Sequence, residues 1–294
     1  PEGRSSDEDI WNILRCGEKI YFNSLLAVYS YDGKSISSVS LQDIPTSIDT
    51  LSGRPLVYLR DGSAWQLDDH DHAELFFRLP DACKIVKVIP KGKDLIVVTA
   101  ENGLFIRSGD GKIQPWFAPN DNPLANITIS CTGKYTGNQT VIGTLSDGIY
   151  ILDADFRPII HVDKLRGLQN ETVRQICTDT DGKIWVSLDE GISCINPQSK
   201  FIFFSNNNES LGSVYCSANQ GKYLYIGTSK GLYYADFSGR DIWKTLWFRK
   251  VSSISGQVWM LRETAGKLLC GWDKGISAVE GPDAVPVNER PGCL

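Results

Sequence analysis

Residues 173–205 read VRQICTDTDGKIWVSLDEGISCINPQSKFIFFS. Runs of β-branched and aromatic residues alternate there with turns, the pattern of a β-meander. VRQICT reads as a first strand, and TDTDG supplies the Asp and Gly that a tight turn requires. KIWVSL follows as a second strand. DEG turns the chain again, and Gly191 is expected at a positive φ that a Cβ would oppose. ISCI is a third strand, NPQSK a wider turn and FIFFS an outer strand. Such a sheet has two apolar faces and cannot bury both alone, so neighbouring copies must cover it.

The unit recurs along the chain. Copies begin at Val214, Val258 and Lys93, another ends at Asn138–Val162, and two divergent copies start near Glu18 and Arg54. A glycine opens the third run at Gly62, Gly103, Gly148, Gly191, Gly231 and Gly275, with Ala27 in the first copy. Successive glycines stand 40 to 45 residues apart, the period of a propeller blade. The spacing predicts an all-β, seven-bladed β-propeller of four-stranded antiparallel blades. A single domain over residues 1–294 is expected, with blades at about 10–41, 42–80, 81–118, 119–163, 170–205, 212–248 and 256–292.

Composition agrees. Hydrophobic residues make up 41% and charged residues 22%, enough to bury a core. A net charge of −5 argues against a nucleic-acid surface or an anionic-lipid surface. No apolar run approaches the roughly 20 residues of a membrane helix, and the opening PEGRSSDEDIW is not a signal peptide. Eight cysteines lack any CxxC pair. Cys16, Cys131, Cys177 and Cys216 fall near the end of strand one in four copies, where they are expected as small buried hydrophobes, not as disulfides or zinc ligands. Cys293 near the end is expected to be incidental. Trp185, Tyr225 and Phe203 are expected in the core.

Chemistry-bearing motifs are few. The histidines are His70, His72 and His161, with no HExxH, GxSxG or phosphate-binding loop. Asp68-Asp69-His70-Asp71-His72 has the composition of a zinc site, but it falls between two outer strands, where a solvated turn is expected. No catalytic residue, metal ligand or cofactor is therefore assigned. Where strand one begins, Trp11, Arg174, Tyr215, Trp259 and Arg262 are expected to approach the central channel on one face. Aromatic rings stack on sugar C–H faces and Arg bonds hydroxyls or carboxylates, so these five are the predicted ligand-binding residues.

GKIWVSLDEGI, GKYLYIGTSKGL and QTVIGTLSDGI resemble the two-component regulator propeller repeat: Asp-Gly, an aliphatic, Trp, Val or Ile, Gly, Thr, two variable residues, Gly, and Leu or Ile. Asp181, Gly182, Ile184, Trp185, Val186, Gly191 and Ile192 carry the match in the fifth copy; Gly227, Thr228, Gly231 and Leu232 in the sixth; Gly143, Thr144, Gly148 and Ile149 in the fourth. The resemblance covers about residues 90–280; the first two copies depart from the pattern. It implies the periplasmic, extracytoplasmic sensor propeller of a membrane-anchored signal-transduction and transcription-regulating protein of Bacteroides-type bacteria. An oligosaccharide or other small ligand is its implied partner, alongside other domains of the same chain and a homodimer mate, and it is not itself an enzyme. The competing readings are a non-catalytic protein-interaction scaffold and a propeller-fold polysaccharide lyase or glycosidase, whose paired acids from different blades would be invisible in sequence.

Overall fold

A computed structural model describes residues 8–199, 211–236 and 248–288. The architecture is all-β, a seven-bladed β-propeller: seven antiparallel sheets, six with four strands and one with three among the described residues. Two three-residue 3-10 turns, Pro119–Asp121 and Lys164–Arg166, are the only helical elements described. No described helix is long and apolar enough to cross a membrane. Sheets one to seven span 10–39, 45–78, 85–115, 129–162, 173–195, 214–250 and 258–288. The expected outer strand FIFFS with Phe203, and Cys293, lie outside the described residues.

The chain divides into two compact units, Pro1–His161 with Gln169–Pro197, and Val162–Leu168 with Gln198–Leu294. Within each, consecutive sheets pack apolar face to apolar face. In the first unit, Tyr21 and Val28 of sheet one meet Ile48, Val57 and Trp65 of sheet two. Leu56 and Tyr58 of sheet two then meet Ile85, Val88 and Val97 of sheet three, and Ile96 and Val98 meet Ile129 and Ile142 of sheet four. In the second unit, Tyr225 and Leu232 meet Val258, Leu268 and Cys270.

The recurrent Thr and Gly of the repeat have a hydrogen-bond explanation. Thr99, Thr144 and Thr228 are buried at the ends of second strands. Their hydroxyls donate to the carbonyls of Gly103, Gly148 and Gly231 at 2.7, 2.9 and 3.1 Å. They also accept the amides of Asn102, Asp147 and Lys230, so one buried side chain satisfies the polar backbone of the turn. Ser24 makes the same bonds to Ala27 in sheet one. Gly62, Gly103, Gly148, Gly191, Gly231 and Gly275 all take positive φ, and at Gly62 a Cβ would also lie 2.8 Å from the Asp81 carbonyl.

The acidic-histidine run is a turn between the strands Ser63–Leu67 and Ala73–Arg78. Asp68 Oδ1 accepts the amides of His70 and His72, both at 2.8 Å. Asp71, at φ 64°, sends its carboxylate into sheet one. There it accepts bonds from Lys19 Nζ at 2.8 Å, Tyr21 Oη at 2.8 Å and Ser30 Oγ at 2.6 Å. Burial pushes the Asp71 carboxyl up, but these three donors more than offset it and hold it below its ordinary value.

Two expectations need correction. Trp185 is 45% exposed. Strand alternation turns Ile184, Val186 and Leu188 inward and Trp185 to the opposite face, where its indole N–H bonds Asp179 Oδ2 at 2.9 Å. The cysteines are also not uniform. The seven described are free: Cys83, Cys131 and Cys270 are buried, Cys177 and Cys194 exposed. Cys16 and Cys177 sit near strand ends, but Cys131 and Cys216 are third in their strands. Burial pushes the Cys131 thiol up to about 11 and that of Cys270 up to about 12, which keeps both protonated and unreactive.

Candidate functional site

Every first strand carries a β-bulge near its start. In sheet one, Ile10 pairs with Ser24 and Asn12 with Asn23, leaving Trp11 without an opposite residue. The same register shift isolates Thr46 between Pro45 and Ser47 and Val86 between Ile85 and Lys87. It isolates Ser130 in sheet four, Arg174 in sheet five, Tyr215 in sheet six and Trp259 in sheet seven. A bulge adds one residue against the partner strand, bends the strand and re-aims that side chain.

A backbone bond closes each bulge in sheets two to seven. The residue just after the second strand donates its amide to the carbonyl two places before the bulged residue. The donors are Arg60, Ala100, Leu145, Asp189, Ser229 and Asp273; the acceptors are Ile44, Lys84, Thr128, Thr172, Ser213 and Gln257, at 2.9 to 3.1 Å. Each of these six sheets therefore presents two residues together, the bulged one and the one 14 or 15 places later.

The identity of those residues divides the sheets. In sheets two to four the bulged residues are small or apolar and partly buried. Thr46 donates to the Tyr58 carbonyl at 3.1 Å and Ser130 to the Val173 carbonyl at 2.7 Å. In sheets one, five, six and seven they are large and exposed: Trp11 at 66%, Arg174, Tyr215 at 45% and Trp259 at 42%.

Four of the five predicted ligand residues are thus bulge residues. Arg262 is not; it is exposed and pairs with Leu269, past the bulge on the Val258–Thr264 strand. Tyr215 and Trp259 are brought together in the second unit, with ring centroids 5.1 Å apart and planes 18° from parallel. Trp11 and Arg174 lie in the first unit, in sheets one and five. Arg174 is engaged by Asp189, its Nε donating to Oδ1 at 2.5 Å. Trp259 Nε1 donates to Asp273 Oδ1 at 3.3 Å, and the other Asp273 oxygen accepts the Gln257 amide at 2.8 Å. Asp189 and Asp273 are equivalent positions, each just after a second strand. Sequence reasoning missed both, although their separation of 15 and 14 residues from the bulge was available once the copies were aligned.

Among the histidines, His161 stacks on Tyr150 with centroids 4.1 Å apart. Its Nε2 lies 2.9 Å from the Asp147 carbonyl, so that nitrogen carries the proton and donates. His72 Nδ1 lies 3.1 Å from Asp68 within its own turn.

The model of the family described as Two component regulator propeller matches residues 167–190, the segment holding both Arg174 and Asp189. The chain carries a two-component regulator propeller repeat. No curated protein matches the chain. Among solved structures, the extracellular domain of the one-component system BT4673 from B. thetaiotaomicron is 17% identical, with a TM-score of 0.51, over 97% of this chain and 42% of that one. The extracellular domain of the hybrid two-component system BT3049 from the same organism is 14% identical, with a TM-score of 0.56, over 94% of this chain and 39% of that one. A catalytically inactive virginiamycin B lyase from Staphylococcus aureus is 11% identical, with a TM-score of 0.53, over 92% of this chain and 94% of that one. These likenesses establish the propeller fold. The chain spans about two fifths of the two B. thetaiotaomicron structures. A lyase with the same fold shows that fold alone does not choose between sensing and catalysis.

Proposed function

We propose that this chain is the extracytoplasmic ligand-sensing propeller of a bacterial signalling protein and that its ligand is an oligosaccharide. The repeat match at 167–190 supports the sensor reading, as does the likeness to extracellular domains of one- and two-component systems. The observation that carries the binding reading is the bulge repeated in every first strand. Large exposed side chains stand where the backbone is bent: Trp11 and Arg174 in one unit, Tyr215 and Trp259 in the other, with Arg262 farther along the strand of Trp259. A rigid backbone bearing exposed aromatic and guanidinium groups loses little entropy when a ligand is bound.

Signalling would follow from differential binding. A ligand that favours one arrangement of the propeller relative to the remaining domains or a homodimer mate shifts the equilibrium toward it; equal affinity for both arrangements shifts nothing.

Titration of the chain with oligosaccharides from plant, host and microbial polysaccharides tests the reading. One class should bind, and at least one of Trp259→Ala and Arg174→Ala should weaken it by about tenfold or more. Unchanged affinity in both variants would overturn the assignment of these residues. Turnover of a polysaccharide by the chain would overturn the non-enzymatic reading.

A further inference from the structure

We infer that Tyr215, Trp259 and Asp273 form one saccharide subsite, that it takes an uncharged pyranose ring, and that Asp273 is the residue that turns uronates away. This rests on the proposal that the bulge residues bind a saccharide and adds which sugar chemistry the second unit accepts.

The cluster is built, not accidental. Tyr215 and Trp259 are bulged residues of consecutive sheets, stacked at 5.1 Å. Each ring covers one face of the other, yet 45% and 42% of the two residues remains exposed. What remains exposed is apolar ring surface, and the chain neighbours Val214 and Met260 are themselves 53% and 50% exposed. Four bonds pin the backbone beneath it. The Ser229 amide donates to the Ser213 carbonyl at 2.9 Å and the Ser213 amide to Ser229 Oγ at 3.1 Å. The Asp273 amide donates to the Gln257 carbonyl at 3.1 Å and the Gln257 amide to Asp273 Oδ2 at 2.8 Å. Gly256 makes room for that carboxylate: a Cβ there would lie 2.7 Å from Asp273 Oδ2.

The polar group at the platform is therefore a carboxylate, fixed at the edge of the indole it orients. A pyranose lying on the rings through its C–H face would bring hydroxyls to that carboxylate, which accepts their hydrogen bonds. A uronate would bring a second carboxylate to a group of the same sign. Of the two predicted guanidinium groups, Arg174 belongs to the other unit and is paired with Asp189, and Arg262 lies past the bulge, opposite Leu269 and not beside Asp273 in the ladder.

The test compares sugars that differ at C6, a neutral hydroxymethyl or methyl ester against a carboxylate. Cellohexaose and maltohexaose are each titrated beside their C6-oxidised uronate forms, mannohexaose beside hexamannuronate, and fully methyl-esterified oligogalacturonate beside the free acid. The wild-type chain should bind at least one neutral member about tenfold or more tightly than its charged partner. Tyr215→Ala and Trp259→Ala should abolish that binding. Asp273→Asn keeps one acceptor, for the Gln257 amide, gives up the bond from Trp259 Nε1, and should bring the neutral-to-uronate ratio to within about threefold. Gly256→Ala, which displaces the carboxylate without altering its charge, should weaken the neutral sugar.

Preference for a uronate, or an Asp273→Asn ratio equal to wild type, would overturn the inference. Neutral-sugar binding that survives both aromatic substitutions would overturn it while leaving saccharide sensing in place. Failure of every probe to bind would remove the inference and the saccharide reading together.

Discussion

Gly227→Val is expected to destabilise the chain by about 3 kcal/mol. Gly227 lies directly opposite Cys216 in sheet six. A Cβ there would stand 2.5 Å from Cys216 Sγ and 2.5 Å from Val258 Cγ1. Val258 is fully buried and opens the first strand of the next sheet, so it cannot withdraw without moving that strand. Gly143 repeats the arrangement in sheet four, with Val173 Cγ1 at 2.5 Å and Cys131 Sγ at 2.7 Å. The glycine before the repeat's threonine is thus the point of close approach between neighbouring blades. Gly271 supplies the control, since a Cβ there meets nothing nearer than Met260 at 3.8 Å. Gly271→Ala should therefore fall within about 0.5 kcal/mol of wild type in urea denaturation. Gly227→Ala provides a graded reading if the valine variant does not fold. Equal costs for Gly227→Ala and Gly271→Ala would show that inter-blade packing is not what the glycine serves.

Asp71→Asn is expected to cost about 2 kcal/mol at pH 7. Asparagine tolerates the left-handed φ of this position, so the substitution tests the carboxylate and not the turn. It removes the counter-charge of Lys19, whose side chain is only 26% exposed, and weakens the bonds from Tyr21 and Ser30. The pH dependence has a definite sign. Asp71 is held below its ordinary carboxylate value in the fold. Its contribution is therefore fully present above the unfolded value of about 3.9 and is lost as pH falls through the lower folded value. The stability difference between wild type and Asp71→Asn should stay constant from pH 7 to about pH 5 and shrink below about pH 4. A gap that widens on acidification, or none at pH 7, would contradict the latch between sheets one and two.

The repeat made the blade legible because its signals are local. Asp and Gly mark turns, and the Thr-to-Gly spacing encodes a hydrogen-bonded bend within three or four residues. The bulge residues were partly legible: Trp11, Arg174, Tyr215 and Trp259 drew attention by type and by place in the unit. The bulge itself was not legible, because a register shift depends on the partner strand and leaves no composition signal. Asp71 shows the other limit. Its partners lie 41 to 52 residues away, and the sequence around it reads only as a polar turn. Trp185 was misplaced for a related reason: a strand tryptophan suits a core or an exposed face equally, and only the register of Ile184 and Val186 decides.

The most direct test is amide hydrogen exchange on the full chain, with and without the oligosaccharide that binds most tightly in the titration. Added protection is expected in peptides covering the starts of the bulged strands Ile10–Cys16, Val173–Thr178, Val214–Gln220 and Val258–Thr264. Little change is expected in the outer strands Ile36–Val39, Ala73–Arg78 and Ile113–Pro115. Protection concentrated in those outer strands, with the bulged strands unchanged, would contradict ligand sensing through the bulges.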